Sequence, residues 1–278
     1  MKSLTHLLVI DPQNDFCDLP RGRRPAGSAP SLPVDGADAD MQRLASLIAD
    51  AAVAISAITI TLDSHRRLDI AHPTFWQRGD GADVMPFTEI TALQVRDGEF
   101  RPRDAASLPR ALAYLDALEA RGRYQLMVWP VHCEIGTWGH EVHADVGAAC
   151  RAWEAQQGRT AQFVHKGENP WTEHYSAVLA EVPDADDPHT QLNHALIADL
   201  DRADRILIAG EASSHCVRAT TEHIVATLTG VQPRRISLVT DCMSPVGGFA
   251  AQHDAFFAQM RALGVGLVRS DELRARLD

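Results

Sequence analysis

No stretch of this sequence stays apolar long enough to cross a bilayer, for which a helix needs about 20 such residues. The first apolar run, 7–10, stops at Asp11 and is too short for the core of a secretory signal. Basic clusters are missing as well: 26 Lys and Arg face 37 Asp and Glu, a net charge of -11. Such a chain has no cationic stripe to follow a phosphate backbone, which excludes nucleic acid as a partner. Cysteines are few and never spaced as C-x-x-C. The five, Cys17, Cys133, Cys150, Cys216 and Cys242, are odd in number and scattered, against both a disulfide framework and a thiolate zinc site. Internal repeats and low-complexity tracts are absent. These absences leave a soluble globular protein, expected in the cytoplasm with reduced thiols and no membrane partner.

What is present is an alternation. Short runs rich in Val, Ile and Leu recur at 6–10, 57–62, 125–129, 161–165, 205–209, 236–240 and 265–268 and read as buried strands. Between them stand segments with helical spacing, such as Met41, Leu44, Leu47, Ile48 and Ala51, or Val217, Thr221, Ile224, Val225 and Leu228. The pattern predicts one α/β domain over residues 1–278, with a mainly parallel sheet and helices on both faces. Two stretches break the alternation and read as insertions: 77–123, with a helix around "LPRALAYLDALEA", and the acidic loop 183–190, "PDADDPHT".

In an open parallel sheet the ligand crevice lies beyond the carboxyl ends of the strands. The residues expected there are Asp11, then Asp63 and His65 in "LDSH", His132 in "WPVHC", Lys166 in "VHKGENP" and Cys216 in "GEASSHC". An isolated cysteine is more often packing than chemistry. Cys216, however, follows a glycine turn and two serines suited to capping, which would set it in a first helical turn that favours a thiolate. A carboxylate with a raised pKa, Asp11, is suited to take and return its proton, and Lys166 to hold the charges. Asp63 and His65 share a side by the two-residue period of a strand, so with His132 they offer one carboxylate and two imidazoles to an ion. That donor set suits zinc, iron or manganese in an open site.

Three lookalikes are set aside. "HEVH" at 140–143 has its histidines three apart rather than the four of a zinc-protease helix. Ser213, Ser214 and His215 lack the G-x-S-x-G of a serine-hydrolase elbow. Cys133 has nothing near it to stabilise a thiolate and reads as packing.

Taken together, "VIDPQNDF" (9–16), "LDSH" (62–65), "WPVHCEIGTWGHEVH" (129–143), "HKGENPWTEHYSA" (165–177) and "GEASSHCVRAT" (210–220) resemble the isochorismatase-like cysteine hydrolases, within them the nicotinamidases. The resemblance implies a three-layer α/β/α fold and a Cys-Asp-Lys triad at Cys216, Asp11 and Lys166. It also implies an oxyanion hole from the N–H groups of Cys216 and of Ala212, the latter after a cis peptide. Metal ligands are implied at Asp63, His65 and His132, holding a divalent ion, zinc first, with iron or manganese as alternatives, that binds the pyridine nitrogen of the substrate. Phe16, Trp129 and Tyr175 fall where such pockets carry wall residues, with core packing as the alternative reading.

The implied activity is cysteine-dependent release of ammonia from a small carboxamide, nicotinamide first, in NAD salvage, by a homo-oligomer. The competing readings are a metal-free carbamoyl or ureido amidohydrolase and a non-catalytic binding member. Three features depart from the family pattern. About sixty residues separate "LDSH" from "WPVHC", room for a lid or a dimer arm. Glu211 puts a carboxylate beside the expected oxyanion turn, and His72 in "IAHPTFW" is a candidate to replace or supplement a metal ligand, read first as a pocket residue or one supporting the ligands.

Overall fold

The computed structural model describes residues 3–228 and 233–277. Along the chain these form β1 (Thr5–Ile10), α1 (Ala37–Asp50), β2 (Ile55–Asp63), β3 (Trp76–Arg78), β4 (Thr88–Ile90), α2 (Ala92–Arg96), β5 (Phe100–Pro102), α3 (Leu108–Arg121) and β6 (Leu126–Val128). There follow α4 (Ala144–Gln157), β7 (Gln162–Lys166), α5 (His194–Asp201), β8 (Arg205–Gly210), α6 (Cys216–Thr227), β9 (Ile236–Val239), α7 (Ala250–Ala262), β10 (Gly266–Val268) and α8 (Ser270–Leu277).

The central sheet has the order β10-β9-β8-β1-β2-β7, and every pairing in it is parallel. β1 is buried along its whole length, as befits a strand covered on both faces, and this is why it reads as an unbroken apolar run. Chain direction across the sheet reverses at β1 and β8: β1 leads to β2 on one side, β8 to β9 on the other. Right-handed crossovers therefore put α1 on one face and α6 and α7 on the opposite one. On the first face α1 packs against α4 and α8, burying Met41, Leu44, Leu47 and Ile48, the stripe its spacing predicts.

Two of the seven expected strands behave differently. Residues 126–128 lie outside the central sheet and pair antiparallel with β4. Here Leu126 and Val128 are buried while Met127 is only half-buried, so one face packs rather than two, and Pro130 stops the run. β7 belongs to the central sheet but forms its edge, and Phe163 is 52% exposed. The insertion 77–123 does not stand apart from the core: Ile90, Phe100, Tyr114, Leu115 and Leu118 are buried in the same hydrophobic cluster as the central sheet, and Arg110 on α3 lies over the Trp171 ring at 4.2 Å.

Candidate active site

The reversal point of the sheet brings distant residues together. Ile10 stands opposite Gly210 in register, and a Cβ on Gly210, whose φ is +120°, would lie 1.9 Å from the Ile10 carbonyl oxygen. Only glycine allows that approach, which Glu211 N–H completes by donating to Ile10 O at 2.8 Å. Beyond the two strand ends, Asp11 turns through a left-handed φ of 44°, and the Glu211–Ala212 peptide is cis. α6 then opens at Cys216 with His215 as its N-cap and no side-chain cap bond. The serines expected to cap it are engaged elsewhere, Ser213 with His253 at 2.7 Å and Ser214 with His215 at 2.9 Å.

Lys166 is the centre of the site. Its Nζ lies 2.9 Å from Asp11 Oδ2 and 2.9 Å from Asp63 Oδ1, donates to His174 O at 3.1 Å and meets Cys216 Sγ at 3.5 Å. Asp11 Oδ1 accepts from Thr61 Oγ1 at 2.5 Å. Ligand atoms of Asp11, Asp63 and Cys216 lie within 4.8 Å of one another. Asp11, Asp63, Lys166 and Cys216 are all buried. Burial opposes the charge on Lys166, but Asp11 and Asp63 outweigh it and raise its pKa. The two carboxylates then part company. Burial pushes Asp11 up, and Asp63 adds to that against the pull of Lys166; burial also pushes Asp63 up, but His65 and Lys166 reverse it and hold Asp63 ionised. Neighbouring carboxylates driven in opposite directions are how one site supplies both a proton acceptor and a fixed charge. Burial pushes the Cys216 thiol well up despite Lys166, against the thiolate that its helical position alone favours.

Beside this cluster Asp63 Oδ2 lies 3.1 Å from His65 Nε2 and 3.3 Å from His132 Nε2. The opposite ring nitrogens are committed. His65 Nδ1 donates to Asp69 Oδ2 at 3.1 Å and His132 Nδ1 to Pro130 O at 2.8 Å. With Nδ1 committed in each ring, Nε2 is the nitrogen turned toward Asp63, where it would offer a lone pair to an ion and otherwise carry a proton. His65 Nε2 is buried and, beyond its ion-pair approach to Asp63, makes no well-aligned hydrogen bond among the described residues, as a ligand atom short of its ion would be. Burial disfavours a charged His65, but Asp63 and Asp69 prevail and raise its pKa: the local field favours a cation. The donor set fits a divalent ion. His72 also joins this group, its Nε2 3.3 Å from His132 Nδ1, and burial drives its pKa down to about 2.

Sulfur and metal-type ligands open on one cavity of about 20 Å3, lined among others by Phe16, Trp129, Tyr175, His132, Ala212 and Cys216. The three expected wall residues are therefore all at the cavity. Trp129 Nε1 donates to Tyr175 OH at 3.0 Å, and the Phe16 ring meets His132 edge-on at 5.5 Å. Glu211 is turned away from it. Its Oε2 accepts from Ser244 N–H at 3.1 Å, and burial, reinforced by Asp40, raises its pKa well above the ordinary carboxylate range, which weakens its opposition to an anion at the turn. Sequence reasoning missed Glu173 and His215, which also line the cavity, and Thr61. Thr61 precedes Asp63 by two residues on β2, so strand periodicity could have found it.

Neither a protein-family model nor a curated protein sequence matches the chain. Solved structures do. The yeast nicotinamidase is 20% identical with a TM-score of 0.63 over 95% of this chain and 99% of its own. A nicotinamidase/pyrazinamidase from Acinetobacter baumanii gives 20% and 0.63, with 98% of each chain covered. The pyrazinamidase of Pyrococcus horikoshii, solved in complex with zinc, gives 19% and 0.55 over 95% of this chain and 98% of its own. This chain has the isochorismatase-like α/β fold of the nicotinamidases and pyrazinamidases.

Proposed function

We propose that the protein is a metal-containing cysteine amidohydrolase that releases ammonia from nicotinamide or a similar small aromatic carboxamide. The observation that carries this reading is Lys166 Nζ, 2.9 Å from each of two carboxylates and 3.5 Å from a cysteine sulfur, in a buried site. Asp11 takes the proton of Cys216 as the sulfur attacks the carboxamide carbon. The N–H groups of Ala212 and Cys216 receive the developing oxyanion, and Lys166 balances the charge. The C–N bond breaks, and ammonia leaves with the proton that Asp11 returns. Asp11 then draws a proton from water as the water oxygen attacks the thioester carbon, the C–S bond breaks to free the carboxylic acid, and Asp11 returns the proton to the Cys216 sulfur.

Asp63, His65 and His132 would hold the ion, which supplies a Lewis-acid site for a lone pair on the substrate ring. Zinc is the first candidate, in line with the zinc complex of the Pyrococcus horikoshii neighbour. A pyridine carboxylate as product is chemistry of NAD salvage. The aromatic walls Phe16, Trp129 and Tyr175 suit a flat ring better than a carbamoyl or ureido chain. Purified protein is expected to release ammonia from nicotinamide and Cys216→Ala to release none; silence from the wild type would reject the assignment.

A further inference from the structure

The insertion takes no part in the chemistry just described, yet α3 reaches the site. Tyr114, buried at 5% exposure, accepts through its hydroxyl from Glu173 N–H at 3.1 Å. The next residue is held at both its backbone N–H and its carbonyl: Glu173 Oε1 accepts from His174 N–H at 2.9 Å, and His174 O accepts from Lys166 Nζ at 3.1 Å. His174 is fixed again where its Nδ1 accepts Gly167 N–H at 3.3 Å. The residue bonded to Tyr114 thus directly precedes the one whose carbonyl accepts a hydrogen bond from the Lys166 ammonium.

We infer that Tyr114 is a positioning residue for Lys166: it anchors the Glu173–His174 segment so that the His174 carbonyl aims the ammonium at Asp11, Asp63 and Cys216. An ammonium has three protons to place, and here two face carboxylates and one the carbonyl. Removing the hydroxyl leaves the Glu173 N–H buried and unpaired, a state the segment escapes by shifting. Because the inference rests on the amidohydrolase reading, its test carries a readout independent of substrate.

Tyr114→Phe keeps the ring and deletes only the acceptor. In the metal-loaded variant kcat for ammonia release from nicotinamide is expected to fall about tenfold with KM moved less than about twofold, since small misplacements of a catalytic group act on the chemical step. Alkylation of Cys216 by iodoacetamide, followed by mass spectrometry, is expected to slow by a similar factor. Wild-type rates for both would overturn the inference, as would a raised KM with intact kcat, which would make Tyr114 a wall of the cavity. A wild type that hydrolyses no nicotinamide rejects the substrate assignment, and the alkylation ratio then decides this inference alone. If the variant does not fold, amide exchange of the wild type decides: strong protection of the Glu173 N–H supports the anchor, and exchange as fast as an exposed loop overturns it.

Discussion

Glu211 carries an acid whose ionisation the fold disfavours. Its pKa lies well above the ordinary 4.5, through burial first and Asp40 next. A group raised in this way favours folding fully only below about pH 4.5, and its contribution is lost as pH climbs toward the folded value. Glu211→Gln is neutral at every pH and escapes that loss. Its advantage in Tm over the wild type should therefore widen from about pH 5 to about pH 8 in calorimetry, with activity within about twofold; parallel curves for the two proteins would refute the neutral acid. Asp11 and Asp63 separate by role in the same way. Asp11→Asn should lower kcat by at least about a hundredfold, as expected for loss of a general base, while retaining bound metal. Asp63→Ala should lose the metal itself, as read by elemental analysis.

Among the elements, the contact of β1 with β8 sets the geometry of the site. Gly210→Ala would drive a Cβ to 1.9 Å from the Ile10 carbonyl, and strands in a close-packed sheet cannot part locally. A loss of about 3 kcal/mol or more is expected in denaturant titration, with activity falling in the fraction that folds because Asp11 and the 211–216 turn separate. This corner was legible in the sequence: a glycine after an apolar run, then a cysteine opening a helix. So were Asp63 and His65, because strand periodicity puts both on one side, and Lys166, because it ends a run. The rest was not. Residues 125–129 look like a sheet strand because apolarity does not say which partner a short run will find, and Thr88–Ile90 supplied one inside the insertion. Glu173 and Tyr114 carry no local signal, since their meeting depends on how α3 lies across the 166–184 segment. Burial at Cys216 opposes the thiolate that its helix start favours; a helix start is visible in sequence and the depth of burial is not.

At the scale of the molecule, the site draws on β1, β2, β7 and α6 and on the turn after β6, so it exists only while the whole sheet holds. A divalent ion binding three of its residues in the folded chain alone should couple to global stability. Removing it with a strong chelator is expected to lower Tm by several degrees and abolish ammonia release, and both should return with added zinc; a Tm indifferent to metal would reject the ligand set. The cavity between sulfur and metal ligands, about 20 Å3, holds little more than one water molecule. A chamber of that size cannot exchange its contents while shut. Substrate and product must pass its walls in turn, so the parting of those walls gates entry, and ring binding should slow as the solvent is thickened with sucrose while kcat, set by bond breaking, holds.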